Sequence, residues 1–167
     1  TLFMTGSPNV RLGSTVIDRI SQSLLTLKYF LPSEFVRKGR SLLEFQRWKA
    51  TEFRTFLLYT GIVSLKGKVS EAMYKNFLLL FSGIHILSHN RLCCNYCDYA
   101  GEILCIFAKN FSELYGAHTA IYNLHGVTHL SSHCQLYGQL HNFSGFPFEN
   151  YLQTIKNIFV TTAEKIV

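Results

Sequence analysis

Ser70-Glu-Ala-Met-Tyr-Lys-Asn-Phe-Leu-Leu-Leu-Phe-Ser-Gly-Ile-His-Ile-Leu-Ser88 decides the fold. A serine followed by a glutamate opens the segment, which suits a helix N-terminus. Behind it the apolar residues cover much of the helical circumference, so the spacing predicts a central, buried helix over 71–88. The apolar run within it, Phe77 to Leu87, is interrupted by Ser82, Gly83 and His85 and is too short to span a bilayer. No membrane segment is expected.

Helical periodicity extends outward on both sides. Val16, Ile17, Ile20, Leu24 and Leu27 recur at three- and four-residue steps behind Ser14 as a cap, predicting a helix over about 14–29 that Pro32 closes. Ser41-Leu-Leu-Glu44 has the form of a capping box ahead of Phe45, Trp48, Phe53, Phe56 and Leu57, with Gly61 as the stop near residue 60. Beyond the central helix, a fourth is expected over about 92–115 with Gly116 as terminator, and a fifth over about 120–137 with Gly138. Asn142-Phe-Ser-Gly145 reads as a turn, and Pro147 starts a sixth helix over about 147–166. Short strand-like runs at Leu2–Met4 and Ile62–Leu65 do not amount to a sheet. The expected architecture is all-α, about six helices in a single domain over 1–167, with no repeat and no linker.

Composition agrees with a packed domain, 48% hydrophobic and 14% aromatic in 167 residues. Five cysteines, an odd number with three crowded at Cys93, Cys94 and Cys97, argue against a disulfide framework and for a reducing compartment. The chain opens on Thr1 without a signal-peptide pattern, which reads as an intracellular fragment rather than a secreted protein. The net charge is +6, and Arg37, Lys38, Arg40, Arg47, Lys49 and Arg54 are crowded into one stretch that would suit DNA. On charge alone a solvated helix face is the plainer reading.

Two histidine pairs have the i, i+4 spacing that lets both imidazoles reach one metal ion. His85 and His89 read as packing and surface residues, since His85 lies in an almost wholly apolar helix. His125 and His129 lie on a more polar, interrupted one. Packing and metal binding both remain open for them. Cys94-Asn-Tyr-Cys97 has the two-residue gap of a zinc half-site, so Cys94, Cys97, His125 and His129 form one conceivable four-ligand set, without the glycine-bearing turn that usually accompanies it. No feature pairs a cysteine with a base for nucleophilic chemistry. Glu149, two residues after Pro147, is by itself a helix-start carboxylate. Its apolar surround, Phe146, Phe148, Tyr151 and Leu152, turns that carboxylate towards a cleft or a partner, and a cation is one such partner.

From about Leu24 to Leu152 the sequence resembles the C-terminal region of CACTA-type (En/Spm-like) transposases and their animal transposase-domain relatives. The resembling stretches are Phe30-Leu-Pro-Ser-Glu-Phe-Val-Arg-Lys38, Trp48-Lys-Ala-Thr-Glu-Phe-Arg54 with Leu57-Leu-Tyr-Thr-Gly61, Asn95-Tyr-Cys-Asp-Tyr-Ala100, Tyr122-Asn-Leu-His125 through His129-Leu130, and Asn142-Phe-Ser-Gly-Phe-Pro-Phe-Glu-Asn-Tyr-Leu152. The resemblance implies an RNase H-like DDE recombinase, in which two aspartates and a glutamate hold divalent Mg or Mn ions for DNA strand transfer. It implies that His125 and His129 match the paired zinc histidines of a helical insertion and that Glu149 matches the third metal-binding carboxylate. DNA, an N-terminal catalytic region of the same protein and a nuclear location follow as implied partners and place.

The departures are specific. Asp18 and Asp98 are the only aspartates, and both fall on expected helices rather than strand ends. Ser131-Ser-His-Cys134 stands where the family commonly has an acidic pair, and Cys94 and Cys97 are not positions to which a ligand role transfers. The chain alone is therefore expected not to cleave DNA. Two rivals stand beside this reading: a domesticated, non-catalytic helical module that binds protein or nucleic acid, and a folded remnant without function.

Overall fold

The computed structural model describes residues 11–35, 37, 39–116 and 122–145. Among them every regular element is helical, and none is a strand. The α-helices are α1 (Ser14–Leu27), α2 (Ala50–Thr55), α3 (Gly61–Leu65), α4 (Glu71–Ser88), α5 (Asn90–Tyr115), α6 (Tyr122–Thr128) and α7 (Leu130–Tyr137). Short 3-10 segments cover Leu42–Arg47 and Leu140–Asn142, and a π-helical turn over Phe56–Thr60 joins α2 to α3 in one continuous rod. The expected helix over 147–166 and the Leu2–Met4 run lie outside the described residues.

The expected helix 71–88 forms with the boundaries read from sequence, and Ser70 Oγ caps it by accepting from the Met73 amide at 3.3 Å. α4 serves two hydrophobic cores. Its first turns bring Tyr74 and Phe77 against Ile20, Leu24, Trp48 and Leu65, while Leu80, Ile84 and Leu87 pack with Cys93, Ala100, Leu104 and Cys134. Only a helix apolar around most of its circumference can face two cores.

α5 follows after the single residue His89 and is bent at Tyr96 (φ −132°, ψ 22°), so its longer part lies along α4 in the most extensive interface of the described elements. The two backbones meet at Gly83. A Cβ built there would stand 2.5 Å from Leu104 Cδ2 and 2.6 Å from its Cγ, with both residues fully or almost fully buried. Overlap at Cγ, not at a freely moving tip, means that a side chain at 83 displaces the leucine.

Several sequence expectations are corrected in detail. Ser14 is the first residue of α1, and Gly13 occupies the cap position without a side-chain bond. Helix α1 ends at Leu27 rather than 29. The helix expected behind Ser41 is broken at Trp48 and Lys49, whose ψ angles of 136° and 161° are extended. The break has a cause in the indole: Trp48 is buried against Phe56 and Phe53, and its Nε1 donates to the Ser41 carbonyl at 3.1 Å. Glu44 does not complete a capping box. That reciprocal contact is made by Glu52, whose Oε2 accepts from the Lys49 amide at 2.9 Å and starts α2.

Gly61 does not stop its helix either. The rod continues to Leu65, making the strand-like Ile62–Leu65 helical, and Gly67 at φ +68° follows the end of the rod. At Gly61 the absent side chain instead admits the Phe77 ring, whose Cζ would lie 2.7 Å from a Cβ. Gly116 and Gly138, at φ 96° and 81°, do end α5 and α7 as expected, in a region open to glycine at little cost. The fifth expected helix is divided at His129 (φ −95°, ψ −4°) into α6 and α7.

Gly83→Ala is expected to destabilise the protein by about 1–2 kcal/mol, the overpacking cost less the gain in helix propensity. Gly126→Ala, with nothing within 4 Å of its Cβ, should instead stabilise by about 0.5–1 kcal/mol. Urea denaturation of both variants measures the difference, and equal shifts would remove the close approach from the account.

Candidate functional site

His125 lies in the last turn of α6 and His129 at the cap of α7, so the four-residue spacing brings the two rings together on an exposed face. Their Nε2 atoms are 3.0 Å apart, with ring centroids at 4.6 Å and planes at 83°. Two imidazoles bound to one tetrahedral zinc ion, with bonds of roughly 2.0–2.1 Å, place their nitrogens about 3.3 Å apart. The observed pair is a hydrogen bond between the two rings, one Nε2–H donating to the other Nε2; to chelate an ion it would have to give up that proton, open by a few tenths of an ångström and turn both lone pairs towards the ion.

The described structure does not group Cys94 and Cys97 with this histidine pair. Cys97 donates its thiol to the Ser131 carbonyl at 3.3 Å, and the Cys94 sulfur lies 4.0 Å from Asn90 Oδ1 on its own helix. No three His, Cys, Asp or Glu side chains among the described residues are grouped to hold a metal. Cys93, Cys97 and Cys134 do meet, at the seam of α5 and α7. Burial, then the neighbouring Cys93 thiol, pushes Cys97 up to about 11 and Cys134 up to about 12. Cys97 and Cys134, held protonated at neutral pH, are packing thiols rather than nucleophiles. Gln135 completes the seam by donating to Asp98, and Gly101 admits Ser131. Asp98 is thus a structural acceptor on a helix.

The basic stretch divides into exposed and engaged members. Arg37, Arg47 and Lys49 are exposed, and Lys38 lies outside the described residues. Arg40 is committed to the fold. Its Nε lies 3.2 Å from Oε1 of Glu52, a carboxylate only 1% exposed, and its Nη1 donates to the Arg47 carbonyl at 3.5 Å. The Oε1 contact is one of charge, since it lacks hydrogen-bond alignment. Arg54 turns inward, donating from Nη2 to His141 Nε2 at 2.9 Å beside an apolar cavity. Desolvation, and secondarily the Arg54 cation, hold His141 below its ordinary value. Sequence reasoning missed both pairings. Glu52 stood with Glu44 as one of two acids amid the bases, whereas His141 is 87 residues from Arg54 and carried no local signal.

Glu149 lies outside the described residues, as do the surrounding Phe146, Phe148, Tyr151 and Leu152. No helix among the described residues is long and apolar enough to cross a membrane. No family model, curated protein or solved structure matches the chain.

Arg40→Met strands the buried Glu52 charge and is expected to cost about 3 kcal/mol. Arg47→Met, at an exposed position, should stay within about 0.5 kcal/mol of the parent in the same denaturation experiment. A second expectation concerns pH. His141 binds its proton more readily unfolded than folded, so its contribution is present above the ordinary histidine range and is lost as pH falls through about 6.5 towards the lower folded value. His141→Gln should therefore lose less stability than the parent between pH 7.5 and pH 5.5, conditions chosen as roughly one unit either side of that range. An identical pH response in the two proteins would contradict it.

Proposed function

We propose that this chain is a helical, DNA-contacting module of CACTA-type transposase descent, contributing two histidines to a structural zinc centre and not cleaving DNA by itself. The observation that carries the reading is the convergence of His125 and His129, exposed and with Nε2 atoms 3.0 Å apart. Solvent-facing imidazoles held edge to face serve no apolar core. A bound zinc ion would supply a cross-link between α6 and a neighbouring segment, its remaining ligands coming from outside the described residues. The all-α character agrees with a helical insertion rather than with the sheet that carries catalytic aspartates.

In this reading Glu149 is the third carboxylate for divalent Mg or Mn ions, a role resting on the resemblance alone, and the two aspartates belong to an N-terminal catalytic region of the same protein. DNA contact falls to Lys38, by its place in the stretch, and to Arg37, Arg47 and Lys49, which among the described residues of that stretch stay exposed once Arg40 and Arg54 turn to their partners. A nuclear location goes with it. The domesticated, non-catalytic reading is favoured by one observation, the adjacent Tyr29 and Phe30 rings exposed by 84% and 77%, which suit a protein or nucleic-acid partner.

Titration with Co(II) or Zn(II) should show binding that His125→Ala and His129→Ala each abolish, while melting of the metal-free variants stays close to the parent. Affinity for duplex DNA should fall with salt at a slope of about 0.9 per neutralised phosphate, and Arg37→Glu, Arg47→Glu and Lys49→Glu together should weaken it by about tenfold or more. Metal binding that survives both alanine variants, with DNA affinity indifferent to the triple reversal, would falsify the proposal. A longer reading frame without two strand-borne aspartates and a Cys-x-x-Cys pair would leave the non-catalytic reading in its place.

A further inference from the structure

Tyr29 and Phe30 leave two adjacent aromatic rings in solvent on the turn that follows α1. Their backbone is fixed. The Tyr29 amide donates to the Thr26 carbonyl at 3.2 Å and the Phe30 amide to the Leu27 carbonyl at 3.0 Å, so the chain closes into a hydrogen-bonded turn while neither ring joins either core. The segment beyond is anchored as well: Phe35 meets Tyr59 edge-on with centroids 5.0 Å apart, and Tyr59 is itself half exposed. Keeping two such rings in water forgoes the stabilisation that burying them would give.

The surroundings of the turn are basic. Lys28 adjoins Tyr29, Arg37 lies on the connection that leaves Phe30, and Arg47 and Lys49 follow the 3-10 segment, which docks on α1 as the Leu42 amide donates to Ser21 Oγ at 3.2 Å. All four bases are exposed, and among the described residues none is paired with a carboxylate. Arg40 and Arg54, engaged elsewhere, take no part. Two exposed acids, Glu34 and Glu44, stand against the four. Such a surface attracts phosphates, yet a duplex keeps its base faces stacked inside and offers the rings nothing. An unpaired strand supplies both partners, a phosphate backbone for the cations and a π-face on every base for the rings.

We propose that the Tyr29–Phe30 turn is a stacking platform for unpaired bases of single-stranded DNA, whose phosphates meet Lys28, Arg37, Arg47 and Lys49. The inference rests on the DNA-contacting reading above and narrows it to the form of DNA that this face takes. Charge complementarity selects the polyanion, and the adjacent exposed rings select the unpaired strand. Stacking of this kind tolerates any sequence, and it involves no covalent step.

Fluorescence anisotropy of the full chain with a labelled oligothymidylate of about 12 nucleotides, and with a labelled duplex of the same length, tests the proposal. Tyr29→Ala with Phe30→Ala should weaken single-strand binding by about tenfold or more and leave duplex binding unaltered. Tyr29→Trp with Phe30→Trp should retain it, whereas Tyr29→Leu with Phe30→Leu, apolar but without a π-face, should lose it as the alanines do. Both rings are exposed, so circular dichroism and the denaturation midpoint should not separate these variants from the parent. Single-strand affinity that the alanine or leucine variants keep, or a loss equal on single strand and duplex, would overturn the proposal. Duplex binding without single-strand binding would also overturn it and leave the DNA reading standing, while absence of both would remove the two together. A dimer in sedimentation, or binding to anionic phospholipid vesicles, that the alanine variants abolish would assign the rings to another partner and likewise overturn it.

Discussion

The contact of Gly83 with Leu104 sets the distance between α4 and α5, and the rest of the fold is arranged around that distance. With no side chain at 83, the two longest of the described helices approach closely enough for Leu87, Ala100 and Leu104 to be fully buried between them. Burying each such leucine is worth about 1.5–3 kcal/mol, so the interface is a large share of the margin of a domain this size. α4 then extends past this interface to Tyr74 and Phe77, which close the other core around Trp48 and Leu65. Neither core could be repositioned without moving the helix they share.

A second constraint acts at Glu52. Its carboxylate is placed in the interior, starts α2 at Lys49 and holds Arg40, which in turn reaches the 3-10 segment through the Arg47 carbonyl. Buried charge of this kind fixes geometry more than it adds stability. It also accounts for the division of the basic stretch: bases close in sequence separate into those that serve the fold and those that face solvent.

The long helices were legible because their signals are local. Ser70, the apolar run, Gly116 and Gly138 state the bounds of α4, α5 and α7 in neighbouring residues, and the structure reproduces them. The region from Ser41 to Leu65 was read less well because its punctuation is tertiary. Trp48 breaks a helix by reaching back to Ser41, and Gly61 yields to the ring of Phe77 on another helix instead of ending its own. Of the candidate site, the meeting of His125 with His129 follows from i, i+4 spacing on any helix-like backbone. The meeting of Arg54 with His141 depends on how three segments pack, which no window of sequence contains. Cys94 and Cys97 show the opposite failure, a familiar spacing whose thiols turn to Asn90 and Ser131.

The single-residue link at His89 has a consequence for how the chain reaches this arrangement. Joining two long helices through one residue makes loop closure nearly free of entropic cost, and their mutual contacts are close in sequence. Topology therefore makes α4 and α5 the expected nucleus of folding, on which α1 and the Ala50–Leu65 rod would dock on one side and α7 on the other. The order has an evolutionary corollary. A hairpin that organises itself can keep its shape while the segments docked on it drift, exchange partners or take up new ligands, which is the condition under which one helical frame passes between functions.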